Sequence, residues 1–156
     1  MGLLSEKVFL DTLAQYGGTP ATLRQAWNAM LLGLPAHRLA LLTELRQAGY
    51  GVYLLSNTNQ THLNWVREYL QREYDCTDFD TRYFDRVYYS HLLHRRKPDV
   101  ATYTHVLQDA GIRAEDTLFI DDNAANVEGA RAAGLQAHHH ADGRDVEEVV
   151  QEWRRE

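Results

Sequence analysis

Two adjacent carboxylates, Asp121 and Asp122, end the short apolar run Thr117-Leu118-Phe119-Ile120, and Asn123-Ala124-Ala125-Asn126 follows at once with the composition of a helix start. Like charges held side by side raise each other's pKa unless a cation intervenes, so burying such a pair is costly. A hard divalent cation such as magnesium relieves that cost, taking one or two carboxylates and keeping several waters. Helix capping would account for one of the two aspartates and not for both. The pair therefore reads as half of a metal site at the carboxyl end of a strand.

Two further clusters have residue types suited to chemistry. The apolar run Val52-Tyr53-Leu54-Leu55 leads into Ser56-Asn57-Thr58-Asn59. A hydroxyl beside the free N–H groups of a helix N-terminus is a ready anion site, and the same residues would serve equally well as helix caps. In Arg95-Arg96-Lys97-Pro98-Asp99, Pro98 favours an extended Lys97 and Asp99 stands where it can cap the next helix. Lys97 offers an ammonium to an anion, although most lysines of this kind simply face water. His138-His139-His140 contains three imidazoles, but adjacent residues on a strand point to opposite faces, so a strand end entering a polar loop is expected. His91 and His94 are expected to be solvated loop histidines. Cys76 lies among Asp75, Thr77 and Asp78, with no basic neighbour to lower its pKa, and is not expected to be a nucleophile.

The punctuation of the chain shows which elements hold these clusters. Ser5 opens a first helix to about Tyr16, with Phe9, Leu13 and Tyr16 at helical spacing, stopped by Gly17-Gly18. Thr19-Pro20 opens a second, to Gly33, with Leu23, Trp27, Met30 and Leu31 on one face. A third runs from Pro35 to Gly49 with a Leu39, Leu42 and Leu45 stripe. Beyond Gly51 strands and helices alternate: a strand over 52–55 buried on both faces, a helix over 60–74, a polar loop over 75–82 and a strand near 86–89. Then come a helix over 100–110, the strand ending at Asp121, a helix to Ala133, a strand near 135–138 and a helix over 146–153. Trp27 and Trp65 are expected in the core, and Trp153 as a docking contact. Alternation of this kind predicts an α/β architecture with right-handed crossovers and a mostly parallel sheet, in which ligands bind beyond the carboxyl ends of the strands. The three clusters fall at such ends.

Composition narrows the class. Hydrophobic residues make up 44% of 156 residues and charged residues 24%, as in an ordinary globular domain. A formal net charge of -6, with no Lys/Arg cluster large enough to offset it, argues against a nucleic-acid surface. One cysteine excludes an internal disulfide and suits a reducing compartment. No apolar run reaches membrane-spanning length and no secretory signal pattern opens the chain, so a cytoplasmic location is expected.

With these residues in place, the sequence resembles the haloacid dehalogenase (HAD) superfamily, and within it the phosphatase-like hydrolases with a helical cap. Leu54-Leu55-Ser56-Asn57 is similar to the family's second motif, Arg96-Lys97-Pro98-Asp99 to its third and Phe119-Ile120-Asp121-Asp122-Asn123 to its fourth. The resemblance implies a Rossmann-like core. It further implies that Ser56 and Asn57 bind a phosphoryl group and that Lys97 stabilises charge on its oxygens. Asp122 would meet Mg2+ directly, Asp121 would act from behind it or through water, and Asn126 would support the pair. Residues 1–34 look like part of a cap and 35–156 like the core. The implied activity is magnesium-dependent hydrolysis of a small phosphate monoester.

The family's first motif, an apolar strand ending Asp-x-Asp that supplies the nucleophile and the general acid/base, has no good counterpart. Val8-Phe9-Leu10-Asp11-Thr12-Leu13 has Leu where the second carboxylate belongs, and its helical periodicity places Asp11 on a helix. A chain that starts after the catalytic strand is the expectation, and its centre would be incomplete. In the family that strand lies between those ending at Ser56 and Asp121. Its loss would open a gap of roughly 10 Å with two unpaired edges. The two edges can close on each other, the N-terminal segment can refold into the space, or another copy can fill it, and filling by another copy predicts a homo-oligomer. The alternatives are a non-catalytic phosphate-binding or assembly module and a fragment of a longer phosphatase. A phosphoacceptor receiver domain is excluded by order, because there the acidic pair comes first.

Overall fold

The computed structural model describes residues 4–155. The chain packs as two compact units, the first ending at His94 and the second beginning at Arg95.

The first unit contains α1 (Glu6–Ala14), α2 (Pro20–Asn28), α3 (Ala36–Gln47), β1 (Tyr53–Ser56), α4 (Gln60–Tyr74), α5 (Phe79–Arg82), β2 (Arg86–Tyr89) and α6 (Ser90–Leu93). The predicted caps form: the Ser5 hydroxyl accepts from Val8 N, and Thr19 closes a capping box with Thr22 ahead of Pro20. β1 and β2 run parallel, with Ser56 opposite Tyr89. The core gathers Leu39, Val52, Leu70, Cys76, Tyr83 and Phe84, with Leu42 and Leu45 of the α3 stripe packed against it. Trp27 is half-buried between Phe9, whose ring meets it edge-on at 4.9 Å, and His62, stacked on it at 5.5 Å.

The second unit contains α7 (Val100–Ala110), a 3-10 turn (Ala114–Asp116), β3 (Leu118–Asp121), α8 (Ala124–Ala132), β4 (Gln136–His139) and α9 (Val146–Trp153). β3 and β4 run parallel, with Asp121 opposite His139. Gly111 ends α7 in the left-handed region at φ 68°, where glycine carries no Cβ penalty. Trp153 docks α9 as expected, donating its indole N–H to Gln136 Oε1 at 2.7 Å. The α/β class and the parallel pairing are as the alternation of elements predicted.

Four details differ from the sequence reading. α2 ends at Asn28 instead of Gly33, because the next residues are pinned from α4: Leu34 N donates to the Tyr69 hydroxyl at 3.1 Å, and the Tyr74 hydroxyl donates to Leu34 O. The 75–82 loop contains the short helix α5, and α6 follows β2 directly. Tyr16 and Met30, placed on apolar stripes, are exposed. Finally, β1 is half-buried along its length, although a strand buried on both faces was expected there; β3 is half-buried too. Among the described residues each has a single strand neighbour, so one edge of each carries no ladder.

Candidate functional site

In the second unit, the Lys97 segment and the start of α8 converge on Asp121. β3 ends there, and Lys97 Nζ donates to Asp121 Oδ2 at 2.7 Å. The other carboxylate oxygen, Oδ1, accepts from Asn123 N and from Asn126 Nδ2, both at 2.9 Å. The Lys97 and Asp121 side chains are only 10% and 7% exposed, so the ion pair lies largely out of water. Burial pushes the Asp121 carboxyl up, and the hydrogen bonds from Lys97, Asn126 and Asn123 more than reverse it, holding the group below its ordinary range. The Lys97 ammonium also sits 5.4 Å from the centre of the Phe119 ring.

The Lys97 segment is held by its neighbours on α7 and α8. The Thr102 hydroxyl, fully buried, donates to Arg96 O at 2.9 Å. Asp99 occupies the N-cap position of α7, but its side chain makes no capping bond, and Thr102 N donates to the Asp99 carbonyl instead. The Tyr103 hydroxyl donates to Asn126 O at 2.6 Å, and burial, with a smaller contribution from the Asp121 charge, raises that phenol to about 12. Gly129 of α8 faces the same segment, since a Cβ there would lie 2.3 Å from Pro98 O. Tyr103 and Gly129 were not singled out from sequence. A glycine in the interior of a helix was the available signal for Gly129; nothing local distinguished Tyr103.

The two aspartates have different surroundings. Helix α8 is capped by Asn123, whose side chain accepts from Ala125 N and Asn126 N, so neither aspartate is spent on capping. Asp121 already has three donors. The exposed Asp122 carboxylate takes no hydrogen bond among the described residues, and its carbonyl lies 3.0 Å from His139 Nε2. A carboxylate with no hydrogen-bond donor of its own, beside a second, charge-compensated one, fits a hard divalent cation such as Mg2+, which binds through few carboxylates and retains water.

In the first unit, Ser56 closes β1 and Asn57 is exposed just beyond it. The cap of α4 is Asn59, which accepts from His62 N, so the capping explanation does not use Ser56 or Asn57. The segment is fastened by Ser90, whose hydroxyl accepts from Thr58 N and donates to Thr58 O, both at 3.0 Å. Asp11 lies on α1, paired with Lys7 at 2.6 Å, consistent with its rejection as a strand-end nucleophile. Asp78-Phe79-Asp80, which the sequence reading passed over, has Asp-x-Asp spacing but sits at α5, where Asp80 accepts from Tyr89 at 2.7 Å and pairs with Arg67 at 3.2 Å. One expectation is corrected: His91 is buried, on α6, and burial holds its imidazole below its usual pKa, whereas His94 is exposed.

A family model for haloacid dehalogenase-like hydrolases matches residues 7–134, which takes in β1, the Lys97 segment and the Asp121 turn. The chain belongs to this family. Among its HAD relatives, the sesquiterpene phosphatase astK of Aspergillus oryzae is 34% identical over 122 residues, covering 78% of this chain and 57% of that protein. The D-ribitol-5-phosphate phosphatase of Bacteroides thetaiotaomicron is 28% identical over 160 residues, covering 99% of this chain and 72% of the relative. The chain thus spans between about half and three-quarters of the length of these relatives. A HAD family enzyme from Bacteroides thetaiotaomicron, crystallised in complex with magnesium and inorganic phosphate, superimposes with a TM-score of 0.85 at 32% identity, over 95% of this chain and 75% of that one. A HAD-like family hydrolase from Porphyromonas gingivalis gives a TM-score of 0.82 at 27% identity, over 99% of this chain and 76% of that one. Among the described residues no helix is long and apolar enough to cross a membrane.

Proposed function

We propose that this HAD-like chain carries the phosphoryl-binding and magnesium-supporting half of a phosphomonoesterase centre. The observation that supports it best is the division of labour at the acidic pair. Asp121 is saturated by Lys97, Asn126 and Asn123, and Asp122 is left for a cation. Bound Mg2+ would supply charge compensation for a phosphate ester. Lys97 would lend its ammonium to the phosphoryl oxygens while fixing Asp121. Asn126 would hold Asp121 from the other side, and in the first unit Ser56 and Asn57 would offer a hydroxyl, an amide and backbone N–H groups suited to a phosphoryl group. The two relatives are named for a sesquiterpene and for D-ribitol-5-phosphate, which supports a small phosphorylated molecule without choosing between apolar and polar leaving groups.

Among the described residues no strand ends in Asp-x-Asp, so attack by an aspartate is assigned to none of them. Purified protein is therefore expected to hydrolyse 4-nitrophenyl phosphate slowly, in a magnesium-dependent manner. Asp122→Asn and Lys97→Ala should each lower that rate by roughly a hundredfold, the usual effect of removing one preorganised electrostatic contact. No turnover at all, or turnover indifferent to magnesium and to both substitutions, would remove the reading.

Residues 1–34 are proposed as the cap segment and 35–156 as the core. The single ladders of β1 and β3 support assembly with a second copy, since an open edge invites strand addition. Light scattering is expected to give at least twice the chain mass from micromolar concentrations upward. A monodisperse monomer over that range would count against assembly.

A further inference from the structure

The three histidines that end β4 divide into two sets. His139 is the register partner of Asp121, and its Nε2 is at the Asp122 carbonyl. His138 and His140 flank it, and because side chains alternate along extended backbone they share the other face. The ladder extends past the strand, with His140 N donating to Asp121 O at 2.9 Å, so this alternation holds through residue 140. It is the i, i+2 pair, not the adjacent pair, that brings two imidazoles together. Their ring centres are 6.1 Å apart.

Two nitrogens of this pair, His138 Nε2 and His140 Nδ1, are buried and have no hydrogen-bond partner among the described residues. A buried polar atom without a partner is uncommon enough to need a reason. Two residues further on, Asp142 brings a carboxylate: one of its oxygens and one nitrogen from each imidazole all lie within 4.8 Å of one another. We propose that His138, His140 and Asp142 form a site for a divalent transition-metal ion of the zinc class, with ligands different from those proposed to hold magnesium.

The donor set selects the ion. Imidazole nitrogen suits Zn2+, Co2+, Ni2+ or Cu2+ and is a poor ligand for Mg2+. Two histidines and one carboxylate leave the fourth tetrahedral position to water. With metal–ligand distances of roughly 2.0–2.2 Å, the donors need to draw together by about an ångström, a change within reach of side-chain rotation. Arg144 tempers the site. Its Nε donates to Asp142 Oδ2 at 2.7 Å and its backbone N donates to Oδ1 at 3.2 Å. The same guanidinium is a cation beside the site and opposes metal binding. It has a second anchor in both oxygens of Glu152, each at 2.9 Å, so Asp142 can turn an oxygen to an ion without stranding Arg144.

Titration of the full chain with Co2+ tests the proposal. Wild type is expected to take one equivalent, with visible absorption and two hyperfine-shifted imidazole N–H resonances, and millimolar Mg2+ is expected not to displace the ion. His138→Gln and His140→Gln should each weaken binding by more than the roughly 10–100-fold typical of losing a supporting contact around a metal. Arg144→Gln should tighten binding several-fold, and Asp122→Asn should leave it unchanged. The absence of visible absorption in wild type would overturn the site, as would fewer than two imidazole resonances or a loss in Asp122→Asn equal to that in His138→Gln. The resonances are read on wild type, so they decide the matter even where a histidine variant fails to fold.

Discussion

Replacing Lys97 by methionine is expected to cost about 3–5 kcal/mol of stability at neutral pH, the range for breaking a buried ion pair by removing one partner. Methionine keeps the apolar stem that packs near Phe119, so the loss isolates the charge. Lys97 and Asp121 are 2.7 Å apart and almost entirely shielded, and without the ammonium the Asp121 carboxylate keeps only the Asn126 and Asn123 donors against its burial. The pH dependence tests the cause. In the wild type the folded carboxyl titrates below its unfolded value, so its contribution is present above the unfolded pKa, about 3.9, and is lost as pH falls through the lower folded pKa. Without Lys97, burial is opposed only by the Asn126 and Asn123 donors, so the folded pKa rises above its wild-type position and the variant loses less stability than wild type as pH falls. The gap between wild type and Lys97→Met should therefore narrow between pH 7 and pH 4.5 in urea denaturation. Adding Asp121→Asn to Lys97→Met should recover part of the loss, because the stranded charge is gone. A gap that is the same at both pH values, with no recovery in the double variant, would show that the ammonium acts by packing alone.

Most of the secondary structure was legible because its signals are local. Caps such as Ser5, Thr19 and Asn59, stops such as Gly111 and the apolar runs before Ser56 and Asp121 each act within a few residues. What was not legible depended on partners distant in sequence. The early end of α2 is enforced by Tyr69 and Tyr74, some 35–40 residues away, through bonds to Leu34. His91 reads as a loop histidine until α6 buries it. At the site, the adjacent carboxylates and the lysine were visible as types at spacings, whereas the asymmetry between Asp121 and Asp122 came only with the family resemblance and not from the residues themselves. Its local basis is that Asn123 takes the cap of α8 and Asn126 reaches back to Asp121, which depends on three-dimensional placement. For the His138/His140 pair the rule is local but acts one step further along: strand alternation sets neighbours on opposite faces and brings the next residue but one to the same face.

Gly129→Ala is expected to destabilise the second unit by about 1–3 kcal/mol, the usual cost of forcing extra volume into packed surroundings, even though alanine in a helix interior ordinarily gains about 1 kcal/mol over glycine. Geometry reverses the sign. An added Cβ would fall 2.3 Å from Pro98 O, 3.1 Å from Pro98 C and 3.0 Å from Tyr103 Cε2. Two of these atoms are backbone and cannot rotate aside, so either α8 or the Pro98 segment must move. Both choices reach the acidic pair. α8 carries Asn126, which donates to Asp121 Oδ1, and Pro98 directly follows Lys97, which donates to Oδ2. Separating helix from loop by even half an ångström lengthens one of two short charge-assisted bonds and disturbs the Tyr103 bond to Asn126 O, which bridges α7 and α8. The variant should thus lose thermal stability, show reduced hydrogen-exchange protection in α8 and in residues 97–102, and lower the proposed magnesium-dependent phosphatase rate without any ligand having been removed. A Gly129→Ala protein as stable as wild type, or more so, would mean that helix and loop have slack at this contact. The tight apposition of α8 on the Pro98 carbonyl would then not be what holds Lys97 against Asp121.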